Sequence, residues 1–231
     1  DLVRSRGLGD VYKRQGYYIL RNGWDAGSTM LILKNNYNPD DKWHCQPDNG
    51  TFSLYRNGRN FFPDSGVFAY SGNEAKRNEF RQTKWHNTMT IYANNITTTE
   101  GRFLKMETQN NVDVVVTENA SYETLSHRRA IFYVNKNNVD KEFFVLIDEG
   151  YGADNGKKYN LNFNLCPGTD EEVVLDLNQF GAHTAFADGN NIIMRTFASK
   201  NITDAATSFN GKLSNDIDLS LIHISEPTRP Y

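Results

Sequence analysis

Short runs rich in Val, Ile, Leu, Tyr, Phe and Thr follow one another along most of the chain. The clear ones are 17–21, 29–34, 51–56, 88–92, 112–118, 130–135, 143–148, 159–165, 173–177 and 192–197. Most have Gly, Asn, Asp or Pro close by, the pattern of strands that end in turns. No window of helical length carries a sustained apolar stripe with a 3.6-residue period. The dipeptides Asn22-Gly23, Asn57-Gly58, Asn155-Gly156, Asp188-Gly189 and Asn210-Gly211 accept the positive φ values of tight hairpins, so several connections are expected to be antiparallel. The pattern predicts an all-β chain, a large β-sandwich of two antiparallel sheets forming one domain without a linker.

Both ends depart from that pattern. Residues 1–15 and 219–231, which include Val11-Tyr12-Lys13-Arg14-Gln15 and Leu221-Ile222-His223-Ile224-Ser225-Glu226-Pro227, are similar to translated sequencing-adapter DNA and are set apart as a tag would be. They are expected to pack poorly. The remaining residues 16–218 are enough to bury a good core as a single all-β unit. A net charge of -3 gives no reason to expect nucleic-acid binding. No stretch is long and apolar enough to span a membrane. Cys45 and Cys166 are too few for a disulfide framework; they could pair in an oxidising compartment, but a chain of this size folds without a staple and two half-buried thiols are the favoured reading.

Three polar clusters interrupt the strands. They are Trp43-His44-Cys45-Gln46-Pro47-Asp48-Asn49-Gly50-Thr51-Phe52, Phe62-Pro63-Asp64-Ser65-Gly66 and Arg81-Gln82-Thr83-Lys84-Trp85-His86-Asn87-Thr88. On an extended strand, side chains two apart share a face, so His44, Gln46 and Asp48 are expected to project together, with Cys45 on the opposite side. An imidazole beside amide and carboxylate oxygens is the beginning of a mixed N/O site. Asp64 also fits a β-turn, with Pro63 setting φ and the carboxylate capping its own backbone. His86 also fits a packed strand residue. His127-Arg128-Arg129 is a basic cluster on a strand, where neighbours alternate in facing, and is assigned to sheet structure.

The order H-C-Q-P-D-N-G-T-F, N-G-R-N-F-F-P-D-S-G and R-Q-T-x-x-H-N-T resembles the C-terminal sandwich domain of the heparinase II/III-like polysaccharide lyases, most of all their heparinase III branch of heparan-sulfate lyases. The segments G-Y-Y-I-L-R-N-G-W-D, S-H-R-R-A-I-F-Y-V and E-F-F-V-L-I-D-E extend the resemblance over residues 16–218. It implies a β-elimination in which the C5 proton of a uronate is removed and the oxygen at C4 expelled. Such a weak carbon acid demands a neutralised carboxylate, a base and an acid in place.

His44 matches the histidine of the lyase cleft, either as the base itself or as an aid to a tyrosine, and an imidazole suits proton transfer near neutrality. Gln46, Asp64 and His86 match the positions at which the family's sandwich binds one divalent metal ion in a structural role. Their O/N set is compatible with Zn²⁺, Mn²⁺ or Ca²⁺. Related lyases carry a histidine where this chain has Gln46. Arg59 and Asn60 lie where a loop can reach the anionic polysaccharide substrate, Arg by two parallel hydrogen bonds, although a solvated loop arginine is the commoner case. The family's tyrosine and carboxylate-neutralising asparagine come from a helical toroid that precedes the sandwich. The chain, lacking it, is expected to be an inactive fragment of a periplasmic or secreted enzyme.

Two other readings stand beside this one. A non-catalytic carbohydrate-binding sandwich could use Trp43, Tyr55 and Trp85 as sugar platforms, which requires those rings to be exposed on one face. A cupin-like metal enzyme is weakened by the lack of a compact His-rich motif.

Overall fold

The computed structural model describes residues 11–12, 16–37, 45–92, 94–97, 99–152, 158–165, 172–176, 178, 180–199, 204–213 and 217–227. Trp43, His44, Cys166 and the Asn155-Gly156 dipeptide lie outside the described residues. The first sheet is a meander of β1 (Val11–Tyr12), β2 (Tyr17–Arg21), β3 (Met30–Lys34), β4 (Phe52–Arg56) and β5 (Arg59–Phe62). Its period of two is visible in burial: Tyr18, Leu20, Leu31 and Leu33 are at most 1% exposed, while their neighbours in sequence look outward. Each such aliphatic side chain contributes about 1.5–3 kcal/mol through burial.

A short helix α1 (Glu74–Phe80), a 3₁₀ turn over Thr83–Trp85 and β6 (Met89–Ile91) follow. The helix spans seven residues, too few to show a helical stripe in sequence; the Asn73 side chain caps it by accepting from the Lys76 amide at 3.0 Å. A second meander, β7 (Gly101–Gln109), β8 (Val112–Tyr122), β9 (Leu125–Val134) and β10 (Phe143–Gly152), forms the next sheet. β11 (Lys158–Leu165) pairs with β6. β12 (Val173–Asp176), β13 (Gly181–Thr184) and β14 (Ile193–Met194) make a small sheet of their own, and β15 (Asp204–Leu213) and β16 (Ile217–Pro227) close the described chain.

The described strand pairs are antiparallel, as expected. Hydrogen bonding divides them among four sheets rather than two. One apolar core nevertheless unites them: Leu20, Leu33 and Phe62 of the first sheet meet Val115, Ile131 and Tyr133 of the second, Phe163 and Leu165 of β11, and Val173 and Ala182 of the small sheet.

Two features of the turns and ends differ from expectation. Asn57 (φ 46°) and Gly58 (φ 82°) do form the tight β4–β5 hairpin, and Asn110 (φ 47°) and Asn111 (φ 69°) do the same between β7 and β8. Asn210-Gly211, however, falls inside β15, where the register with β16 shifts between Ser208 and Gly211; the dipeptide marks a bulge instead of a hairpin. The second difference is at the C-terminal side. Residues 219–227 belong to β16, which lies between β15 and β11 with Asn162 opposite His223 and Leu165 opposite Ser220, so this segment is paired on both edges. Its backbone satisfies a neighbouring strand whatever the origin of its side chains.

Candidate metal centre

The three polar clusters of the sequence come together beside the end of β3. Residues 46–51 form a turn, not the extended strand read from the sequence. The Asp48 amide donates to Gln46 O and the Thr51 amide to Asp48 O, each at 2.9 Å. The turn is fixed to β3 by two further bonds of 2.8 Å, from Gly50 N to Lys34 O and from Lys34 N to Thr51 O. Gly50 sits at φ 82°, and a Cβ there would stand 2.9 Å from Thr88 Oγ1 and 3.1 Å from His127 Nδ1. Only glycine passes this point without strain.

Asp64 occupies the turn after β5. Its Oδ1 accepts from the Gly66 amide at 2.8 Å while Oδ2 lies 2.8 Å from His86 Nδ1. The two readings of Asp64 are thus both present, one on each oxygen. His86 follows the 3₁₀ turn and is fully buried, whereas Asp64 keeps 28% of its side chain exposed. Asp48 completes the cluster: one ligand atom from each of Asp48, Asp64 and His86 lies within 4.8 Å of the others. Bond lengths of roughly 2.0–2.6 Å to a divalent cation fit such a spacing. The sequence placed Asp48 on the same face as Gln46 without making it a ligand; the turn, not strand alternation, brings it in.

Electrostatics support an ionised cluster. Burial opposes charge on Asp64, but the His86 ring, its hydrogen bond and the Gly66 amide outweigh burial and hold the carboxyl down at about 2. Burial likewise disfavours the charged imidazole of His86, and the Asp64 carboxylate overcomes it, so the ring's pKa is raised. Lys34 Nζ lies 2.5 Å from Asp48 Oδ1, and despite burial that carboxylate raises the lysine's pKa. Among the described residues two buried polar atoms of these segments make no hydrogen bond: His86 Nε2, within the cluster, and Gln46 Oε1, at the start of the turn that carries Asp48. A buried acceptor and a buried ring nitrogen left open are costly in a protein interior unless something meets them. The His86 ring and the two carboxylates are donor types a divalent ion takes, and the set the structure gathers is Asp48, Asp64 and His86, with Asp48 where the sequence reading had Gln46.

A second histidine–carboxylate pair lies nearby. His127 Nε2 is 2.7 Å from Asp148 Oδ1, and Arg129 grips the same carboxylate through Nε at 2.6 Å and Nη2 at 3.1 Å. Arg129 Nη1 then donates to Gly50 O and Asn87 O, both at 2.6 Å. Thus Arg129 of β9 ties the 46–51 turn to the residue after His86. As expected for alternating strand residues, His127 and Arg129 are buried and Arg128 faces outward. Asn87 adds bonds to Phe52 O at 2.7 Å and from Asn164 N at 2.5 Å, so the residue after His86 is held from both sides.

The remaining expectations divide. Arg59 does not present a free fork: Nη1 and Nη2 bind Asp188 at 3.1 and 3.0 Å, Nη1 also reaches Asn190 O, and the guanidinium stacks on Phe186 at 3.9 Å. Asn60 is exposed on β5. Cys45 is half-buried, and its Sγ accepts from the Asn36 side-chain amide at 3.3 Å. Tyr55 and Trp85 are half-buried, so those two rings do not form the exposed platform that a sugar-binding module needs.

A family model, Heparinase II/III-like, C-terminal, matches residues 8–224. The chain is 48% identical over 217 residues to a heparin-sulfate lyase of Bacteroides thetaiotaomicron, covering 90% of this chain and 30% of that one. It is 39% identical over 192 residues to a heparin-sulfate lyase of Pedobacter heparinus, covering 82% and 28%. Among solved structures, a heparinase III superposes with a TM-score of 0.85 at 44% identity, covering 97% of this chain and 35% of that one. The heparan sulfate lyase HepC of Pedobacter heparinus superposes with a TM-score of 0.83 at 32% identity, covering 96% and 34%. The chain therefore spans about a third of the length of these relatives. With its strand order, its three polar clusters and this match running through nearly all of its residues, the chain belongs to the heparinase II/III-like family as a C-terminal domain.

Proposed function

We propose that this chain is the sandwich portion of a polysaccharide lyase that cleaves a uronic-acid glycan of the heparan sulfate class by β-elimination. The observation that carries the reading is the open polar centre. Among the described residues His86 Nε2 is buried without a hydrogen-bond partner beside the Asp48 and Asp64 carboxylates, and so is Gln46 Oε1 at the start of the turn that carries Asp48, within a domain whose relatives are heparin-sulfate lyases. Gln46, Asp64 and His86 would hold one divalent ion, with Zn²⁺, Mn²⁺ and Ca²⁺ all suited to the donors. When bound, the ion supplies a fixed positive charge that ties the 46–51 turn to the segments carrying Asp64 and His86.

His44, two residues before Gln46, is the proton-transfer residue in this reading. It takes the C5 proton or assists a tyrosine that does so, the C4–O bond breaks, a C4–C5 double bond forms and the leaving oxygen receives a proton. The neutralising asparagine and the tyrosine belong to a helical toroid elsewhere in the parent, so the sandwich alone is inactive. Asn60 is the exposed residue available to the anionic chain, while Arg59, engaged by Asp188, serves chiefly to hold the β13–β14 side of the domain. The parent is periplasmic or secreted, and residues 16–218 are its native portion.

The test joins this chain to the preceding domain of a heparin-sulfate lyase and follows the ultraviolet absorbance of the unsaturated product from heparan sulfate. The chimera should turn over substrate, His44→Ala should sharply reduce turnover with the sandwich still folded, and the bare chain should show none. Unchanged turnover in His44→Ala removes that residue from the mechanism. Robust activity of the bare chain refutes the division of labour altogether.

A further inference from the structure

The centre contains a cation of its own. Lys34 ends β3, and its backbone is held by Gly50 and Thr51 of the turn that also carries Gln46 and Asp48. Its side chain is only 13% exposed and points its ammonium at Asp48, which is 2% exposed. Asp48 in turn lies within reach of the Asp64 and His86 ligand atoms. A single buried carboxylate therefore faces both an ammonium and the place where a divalent ion would sit.

We propose that Lys34 is a resident counter-cation that competes with a divalent ion for Asp48. While the ammonium holds Asp48, an ion has Gln46, Asp64 and His86; when the ammonium is removed or displaced, Asp48 becomes a further ligand. This inference rests on the ion reading above and adds the residue that sets the strength of binding. Three physical points carry it. An ammonium has donors and no lone pair, so Lys34 cannot itself ligate a metal. A divalent ion bonded to Asp48 Oδ1 would stand against Nζ, a like-charge contact that solvent screens poorly in a pocket this enclosed. The His86 ring faces Asp64, not Asp48, so two carboxylates this close would resist joint ionisation without a second cation, and Lys34 supplies it in the ion-free chain. Lys34 thus lets the domain fold before it is loaded, at the expense of ion affinity.

The experiment is calorimetric titration of Mn²⁺ into the chelator-treated 231-residue chain, comparing wild type with Lys34→Met and Lys34→Arg. Lys34→Met keeps the stem and removes the charge, and should tighten Mn²⁺ binding about tenfold or more, within the range of coupling between neighbouring sites. Lys34→Arg keeps the charge and should bind as wild type does. Adding Asp48→Asn to Lys34→Met should return most of the gain. Wild-type binding with no tightening in Lys34→Met overturns the Lys34 inference alone, as does a double variant that keeps the whole gain. Absence of binding in every variant overturns the ion reading with it. Should Lys34→Met be unfolded after chelation, circular dichroism replaces calorimetry: Mn²⁺ must restore the strand signal at a lower concentration than saturates wild type, and failure to do so counts against the proposal.

Discussion

Two buried histidine–aspartate pairs lie within one domain and are finished differently. In His127–Asp148, Arg129 takes both carboxylate oxygens and passes its remaining nitrogen to Gly50 O and Asn87 O, and none of the three side chains leaves a buried atom without a partner. In His86–Asp64 the ring nitrogen Nε2 has no partner among the described residues, and the nearby ammonium serves Asp48. The histidines respond in opposite directions. Burial, aided by Arg129, lowers the His127 pKa against the pull of Asp148, whereas Asp64 overcomes burial and raises that of His86. Full satisfaction is what a structural network needs, since a half-satisfied one is worse than an apolar core. The incomplete set is where the proposed ion would enter.

The largest test of this contrast removes Arg129. Arg129→Met leaves Asp148 buried and uncompensated and frees two carbonyls, and should cost about 3–5 kcal/mol in urea unfolding, the range for breaking a buried pair. His86→Gln in chelator should cost clearly less, because fewer bonds are lost; equal losses would erase the distinction between the two pairs. Mn²⁺ at a hundred times its dissociation constant should stabilise the wild-type chain by about 2.7 kcal/mol. It should do little for Asp64→Asn, as read by the melting temperature.

Gly50→Ala comes next, at about 1–3 kcal/mol, the usual penalty for a side chain at a left-handed position. Here its Cβ would also crowd Thr88 Oγ1 and His127 Nδ1. Refolded Gly50→Ala with wild-type stability would show that the 46–51 turn is free to move, and that the centre is less fixed than its bonds imply.

The pH dependence sharpens the contrast further. His86, whose pKa is raised on folding, contributes stability that is whole below about pH 6.5 and is lost as pH rises through its folded value. His127, whose pKa is lowered, contributes stability that is whole above about pH 6.5 and is lost as pH falls through its folded value. In chelator, the stability gap between wild type and His86→Gln should therefore narrow as pH rises. The gap for His127→Gln should narrow as pH falls. Gaps that move together would contradict the opposite environments assigned to the rings. The smallest effect belongs to Arg59→Ala, which breaks a pair with the exposed Asp188 and should leave the melting temperature close to that of wild type.

Much of the fold was legible because burial imposes a period of two. The run at 17–21 coincides with β2, the runs at 112–118 and 143–148 lie inside β8 and β10, and the run at 130–135 overlaps the second half of β9. β7 was missed because Gly101–Gln109 is mainly polar and outward-facing, β13 because Gly-Ala-His-Thr is short and bland, and α1 because two turns of helix show no stripe. At the centre, residue order and the family resemblance pointed to Asp64 and His86, which the structure brings together; Asp48, which joins them there, was not read as a ligand. Nothing in the sequence exposed Lys34, an ordinary end to the strand Met-Leu-Ile-Leu-Lys.

The sequence by itself determined the strand-rich character of the chain and the family to which the three polar clusters point. A side chain's preference for one face or one φ region is local, and it is written in the residue and its immediate neighbours. The tertiary structure alone decided partners: Asp48 with Lys34, Arg129 with the carbonyls of Gly50 and Asn87, and Arg59 with Asp188 in place of open solvent. Those pairings join segments 14, 79, 42 and 129 residues apart. Which charge meets which, and which buried atom is left for a ligand, depends on how the sheets bring such distant segments together.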